Sequence, residues 1–427
     1  MQQDIKPAES WYEATVSREN YAPLAGVAEA DVCVIGAGFA GLVTALECQR
    51  RGLATVLLDA SRVACGASGR NGGFVSNGFA LGVEGIMRVA GRDSARALYQ
   101  LSREGTNYVR EMLRTHEPSA IMGQGGRVAL RHRDDGSLKA YAELMNRDHG
   151  EKLHYSTTEE TRLHLVSPRY FESITSDNTF HIHTLSYGLL LARLAAAAGV
   201  RVHENAAAIS VTKSAGGSIV KTAAGEVRAR HVVHCVSSLA PHLHRTSGRA
   251  ILPVATYVAV TNPLQQDVIR TSAAIADTRR AGDYYRLITG GRLLWGGRIT
   301  TRVSEPAQLA EVMRRDMVSV YPSLADARID YAWAGLMGYA IHKMPLIGRD
   351  ADGQWYATAF GGHGLNTTAM GGLLIARGIA GEDDAWRQFA PFAPRWAFGQ
   401  LGRLGVQGSY WWMQAQDRWE EKKSSRS

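Results

Sequence analysis

The sequence predicts an α/β fold in which a doubly wound domain is interleaved with a second, β-rich α+β domain. Three observations predict it. A strand–helix–strand unit lies within residues 28–60, a β-rich stretch fills the middle of the chain, and a second glycine loop leads into a helix at 354–381. The 427 residues suffice for two domains. A composition of 45% hydrophobic and 21% charged residues is that of a globular protein.

The first unit is justified residue by residue. Residues 32–35, Val-Cys-Val-Ile, form a short apolar run of the kind found in buried parallel strands. Leu42, Val43, Ala45 and Leu46 then follow at helical spacing, and Arg50, Arg51 and Gly52 supply the positive charge and glycine that end a helix. Residues 55–58 are a second strand, closed by Asp59 and Ala60. The first turn reads Gly36-Ala37-Gly38-Phe39-Ala40-Gly41. In that pattern the first glycine permits the tight turn, the second lets a pyrophosphate approach the backbone, and the third lets helix pack on strand. The start of the helix offers free N–H groups and its positive dipole end to phosphate. Asp59 stands 18 residues beyond Gly41 and is suited to the hydroxyls of a ribose. This is a Rossmann-like dinucleotide site. The carboxylate disfavours a 2′-phosphate, so NAD and FAD remain.

The rest of the chain is read more coarsely. Residues 1–27 look like an extension on the surface. Residues 92–116 read as a helix, 121–180 as short strands and loops, and 183–211 as a helix followed by a strand near Glu204. Residues 231–236 and 251–260 read as strands, 283–300 as a hairpin with a Gly-Gly turn, and 305–320 as a helix. The domains are drawn at 28–85, 182–245 and 335–390 for the nucleotide-binding part. The substrate-binding part takes 86–181 and 246–334, and 391–427 is a helical tail.

Composition excludes some functions. The net charge is +8, but the basic residues are scattered, which argues against nucleic-acid binding. The four cysteines, Cys33, Cys48, Cys65 and Cys235, form no CxxC pair, so no metal site is expected. There is no signal-peptide pattern and no membrane-length apolar run, which makes reducing cytoplasm the expected setting.

One stretch, "CGASGRNGGF" at 65–74, remains. With "ADVCVIGAGFAGLVTALE" before it and "DYYRLITGGRLLWGGR", "HKMPLIGR" and "GGHGLNTTAMGG" after it, the chain resembles the D-amino-acid-oxidase-like FAD-dependent amine oxidoreductases. The gamma-glutamylputrescine oxidoreductase branch looks nearest. The motifs anchor nearly the whole chain. The resemblance implies a glutathione-reductase type FAD-binding domain with FAD held noncovalently, because Gly66 stands where some relatives carry a flavin-linked histidine. It implies that Gly66, Ala67, Ser68, Arg70, Asn71, Gly72 and Gly73 pass along the flavin, with Arg70 and Asn71 hydrogen-bonding it. Gly361, Gly362, His363, Gly364, Leu365 and Asn366 would close on its pyrimidine end, with Gly338 nearby and Ala208 on the adenine side. His363 is read as an orienting residue.

The activity implied is hydride transfer from the carbon beside an amine nitrogen to flavin N5, giving an imine that hydrolyses. Tyr257, Tyr284, Tyr285, Trp295, Arg286, His342 and Lys343 are the catalytic candidates, with Arg298 an alternative carboxylate holder. Leu365-Asn366-Thr367 lacks the lysine that sarcosine-oxidase-like members use for a carboxylate, which weakens a simple α-amino-acid substrate. The partners are a small amine and either oxygen or another electron acceptor. A dehydrogenase feeding a quinone or carrier, and a non-catalytic flavoprotein, stay as alternatives. The tail "YWWMQAQDRW" is expected to dock on the body through its tryptophans rather than on a membrane.

Overall fold

The computed structural model describes residues 10–132, 136–280 and 282–424. Two large sheets organise it. The first has eight strands. Five of them are parallel, in the order Trp355–Thr358, Gly225–His234, Gly26–Ile35, Thr55–Leu58, Arg201–His203. The chain starts in the middle, builds outward through Thr55–Leu58 and Arg201–His203, then returns to the other side. Gly26–Ile35 is therefore a topological switch point, where open α/β sheets bind ligands beyond the carboxyl ends of the strands. Gly36, Asp59, Glu204, Cys235 and Ala359 each follow the last residue of one of these strands.

Helices Phe39–Arg50, Thr184–Ala197 and Gly364–Ala380 cover the sheet, and Arg92–His116 packs on Gly364–Ala380. Strand residues such as Val32, Val34 and Leu57 are fully buried with Leu42, Leu46 and Leu374 in one core. Each such side chain contributes on the order of 1.5–3 kcal/mol.

The second sheet has nine strands and is mostly antiparallel. From one edge it runs Ile329–Tyr339, Leu252–Thr261, Arg292–Thr300, Tyr284–Ile288. Side chains alternate between its faces, as strand geometry requires. Val258, Val260, Leu294 and Trp333 belong to the core shared with the first domain. Tyr257, Ala259, Leu293 and Trp295 belong to a separate core under the helix Leu309–Val320.

Several sequence expectations change. The strand Ile329–Tyr339 carries residues 335–339 into the second sheet, and Phe74–Val75 joins it as well. The helices within 83–116 lie with the first domain, because the apolar face of Arg92–His116 needs Gly364–Ala380 as its partner. The early segment is anchored rather than superficial: Ser10 caps the helix Trp11–Ala14, and Trp11 and Tyr12 are buried against His183 and Trp333. Residues 1–9 lie outside the described residues. The tail forms the helix Gly399–Ser424, but it docks by its polar side. Gln407 accepts from Thr300 Oγ1 and Thr301 N, Arg403 donates to Thr301 O, and Asp417 pairs with Arg280 at 2.7 Å. Its tryptophans face outward.

Candidate active site

The first glycine turn is built as its sequence demands. Gly36 has φ +104°, and a Cβ on it would stand 2.8 Å from Cys235 O in the neighbouring turn. A Cβ on Gly41 would overlap the Gly36 carbonyl oxygen. Phe39 and Ala40 are buried, with the Phe39 ring 5.0 Å from Tyr187. Gly38 caps the helix without a side-chain acceptor, and Ser68 Oγ reaches over to take the Phe39 amide at 3.0 Å. Asp59 accepts from Ala37 N at 2.7 Å and Ser61 N at 2.8 Å, which braces the turn. Burial raises its carboxyl above the usual range, offset in part by those two amides. Glu204 lies beside it, accepting from Val63 N at 2.7 Å.

The loop at 66–73 is held by its carbonyls. Trp333 Nε1 donates to Arg70 O at 2.9 Å, Tyr12 Oη to Asn71 O at 2.9 Å, and Arg286 Nε to Gly72 O at 2.7 Å. The Asn71 side chain serves the loop itself: its Nδ2 donates to Ala67 O and Ser68 O, and its Oδ1 accepts from Gly73 N. Its side chain therefore braces the turn. Arg70 is the loop's one cation, and burial lowers its pKa. Gly72 faces the Tyr284 ring, whose Cε2 a Cβ there would meet at 2.5 Å.

The second loop comes from the other end of the chain and meets the exit of the first. His363 Nε2 lies 3.0 Å from Asn77 O and 3.2 Å from Ser76 Oγ, and Asn366 Nδ2 donates to Gly78 O at 3.1 Å. Two neighbouring carbonyls put the proton on Nε2, and burial lowers the imidazole pKa, so His363 is a neutral clasp between the loops. Tyr339 lays its ring on Gly361 and its Oη accepts from Gly362 N at 2.6 Å. Leu365 is buried, and the helix beginning at Gly364 has no side-chain cap. Gly338 holds the strand end against Ser237, receiving the Gly361 amide on its carbonyl. Ser238 Oγ is buried there with no protein partner.

Of the seven catalytic candidates, Tyr284 is the one whose ring lies along the first loop, edge-on to Phe74 and with its hydroxyl bonded to Thr256; burial raises its pKa to about 12. Strand alternation sends Tyr257, Tyr285 and Trp295 to the opposite face. There Tyr285 stacks on Trp295 at 4.4 Å and bonds Tyr170 and Tyr321, while Tyr257 donates to Ser304 O. Arg286 is fully buried and structural. It donates to Gly72 O, Ile182 O, Tyr12 Oη and His181 Nδ1. His342 accepts from Met344 N in a turn where Lys343 is exposed, with φ +61°. Arg298 is engaged by Asp316. Ala60 follows Asp59, and Ala208 lies in a small core with Ile35 and Leu58. Tyr12 and Trp333 were missed as loop supports; the signal available was two large aromatics with a polar tip, which need a partner when buried.

Two glycine loops and a carboxylate converge at the switch point, beside a buried serine hydroxyl without a partner. A Cβ on Gly364 would meet nothing within 4 Å, and one on Gly66 only Leu239 Cδ1 at 3.9 Å, so each loop leaves room beside its backbone. Such a cradle fits an elongated dinucleotide. The chain belongs to the DAO family of FAD-dependent oxidoreductases, whose model matches residues 31–377. It is 32% identical over 374 residues to a probable oxidoreductase OrdL of Haemophilus influenzae, covering 85% of this chain and 86% of that one. It is 29% identical over 394 residues to the gamma-glutamylputrescine oxidoreductase of Escherichia coli, covering 89% and 91%. In fold it matches glycine oxidase from Bacillus cereus with a TM-score of 0.71 at 18% identity, over 85% of this chain and 98% of the other. The family and fold expected from the motifs are thus the ones found.

Proposed function

We propose that this protein oxidises a primary or secondary amine with noncovalently held FAD. The observation that carries the reading is the clasp between the loops at 66–78 and 361–366, drawn from opposite ends of the chain to one switch point. The diphosphate would lie over Gly36, Gly38, Phe39, Ala40 and Gly41 at the helix start, with Asp59 at the ribose and Ala60 and Ala208 on the adenine side. The flavin ring would run along Gly66, Ala67, Ser68, Arg70, Gly72 and Gly73 toward Gly361–Asn366 and Gly338. When bound, FAD supplies the acceptor for a hydride leaving the carbon beside nitrogen, and water hydrolyses the resulting imine.

The chain's own part is orientation and desolvation. The positive end of the helix Gly364–Ala380 would face the pyrimidine side of a bound flavin and favour negative charge there. Tyr284 would wall the ring on the second-sheet side, and it stays protonated at neutral pH. A dry pocket lowers the substrate ammonium pKa, so the amine sheds its proton before losing hydride. Burial raises the Cys65 thiol, which supports a noncovalent cofactor over a thiolate linkage.

Both arginines considered for a substrate carboxylate are occupied, Arg286 by main chain and Arg298 by Asp316. That supports an amine substrate without an α-carboxylate clamp. The relatives' names, gamma-glutamylputrescine oxidoreductase and glycine oxidase, support amine-type chemistry in general. Turnover of an amine panel beside an α-amino-acid panel, read as carbonyl product, tests the reading. Amines are expected to react. Turnover confined to α-amino acids would reject the amine substrate.

A further inference from the structure

The helix Gly399–Ser424 wears its faces the opposite way round from an ordinary docked helix. Its three acids, Asp417, Glu420 and Glu421, are all turned to the body, in ion pairs with Arg280, Arg131 and Arg279. Leu401, Leu404, Trp411, Trp412 and Trp419 face solvent, with exposures of 57–75%. At 3.6 residues per turn these five fall within about 100° of the helix circumference, a continuous stripe. Trp396 and Phe398, exposed and 4.8 Å apart, prolong it beyond the helix start. Four of the chain's nine tryptophans stand on this ribbon. An apolar patch of this extent marks an interaction surface.

The charge around the stripe indicates the partner. With every acid of the helix drawn inward, its border is cationic. Arg418 is exposed, and the Lys423 ammonium lies 5.7 Å over the Trp419 ring. Arg395 is exposed beside Trp396 at the other end. The whole chain carries +8. Indoles on the face with Lys and Arg at the rim is the pattern of helices lying at a bilayer surface, where the ring sits at headgroup depth and the cations meet anionic lipid. No described helix is long and apolar enough to cross a membrane, so the contact is one of lying on the surface. The helix spans about 39 Å.

We propose that this helix is a docking surface for an anionic phospholipid bilayer. The inference goes beyond the flavin chemistry and does not depend on it.

The test uses the full-length holoprotein with vesicles of phosphatidylcholine alone or mixed with phosphatidylglycerol. Co-sedimentation is expected with the mixed vesicles only, weakened by salt and accompanied by a blue shift of tryptophan emission. W411S/W412S/W419S removes only solvent-facing rings, so its melting temperature should match the wild type while vesicle partitioning falls at least about tenfold. Arg418→Glu with Lys423→Glu should lower it by about tenfold or more. Wild-type protein that stays in the supernatant with anionic vesicles overturns the proposal. So does a triple variant that sediments like the wild type. A vesicle-free dimer abolished by the triple variant, without lipid binding, would assign the stripe to a second copy of the chain instead.

Discussion

Arg286 illustrates how much a single residue's role depends on its face. The family resemblance offers it, with Arg298, as an arginine that could hold a substrate carboxylate where Leu365-Asn366-Thr367 lacks the lysine. The structure buries it completely and uses its guanidinium to fix Gly72 O and Ile182 O. Arg286→Met would leave those acceptors without donors and is expected to cost about 2–5 kcal/mol in denaturant unfolding. A variant as stable as wild type that loses only substrate affinity would contradict this. Gly72→Ala tests the neighbouring contact: a Cβ at 2.5 Å from Tyr284 must push the ring away, so flavin retention should fall while the fold persists, as read by the ratio of visible to protein absorbance. Residue identities in the two glycine loops were legible because the glycine requirement is local. The role of Arg286 was not, because hydrogen-bond partners 104 and 214 positions away leave no mark in the sequence.

Among elements, the helix Thr184–Ala197 shows how burial of its cap creates a pH dependence. His183 caps it by accepting from Ser186 N, and His181 precedes it on the strand Ser173–Ile182. Burial, then the nearby Arg286 charge, lowers His181 to about 3 and His183 to about 4. Below pH 6.5 the unfolded chain takes up these protons and the folded chain does not, so stability falls as pH falls from 6.5 toward 4. The slope is about 1.4 kcal/mol per histidine per pH unit. Asp59 and Asp283, raised by burial, slope the other way. The comparison is therefore wild type against His183→Asn, which keeps an N-cap. The variant's stability should lose about one histidine's share of the slope across that window, and an unchanged slope would contradict a neutral buried His183. At this scale the βαβ unit was plain from its apolar runs and the glycine pattern. The faces of the second sheet were open to a period-two reading that separates Tyr284 from Tyr285, but which face meets the flavin side is fixed only by packing. The tail's orientation was misjudged for a related reason. Its tryptophans look like a core stripe until Arg131, Arg279 and Arg280 are seen to claim the opposite, acidic side.

For the whole molecule, the order of motifs along the chain already implied an interleaved pair of domains. The crossing points were less legible, because helices such as Arg92–His116 are placed by long-range contacts with Gly364–Ala380. The two-loop cradle predicts that acid precipitation of the purified protein leaves its FAD in the supernatant; flavin retained in the pellet would indicate a covalent link. The central claim is that this cradle presents FAD to an amine. Its most direct test is the visible spectrum of the purified protein under anaerobic conditions while amines are added. The account predicts a yellow protein whose flavin absorbance is bleached by an amine, with air then restoring the colour if oxygen is the acceptor. A protein that takes up no FAD, or whose bound FAD no amine reduces, would contradict it.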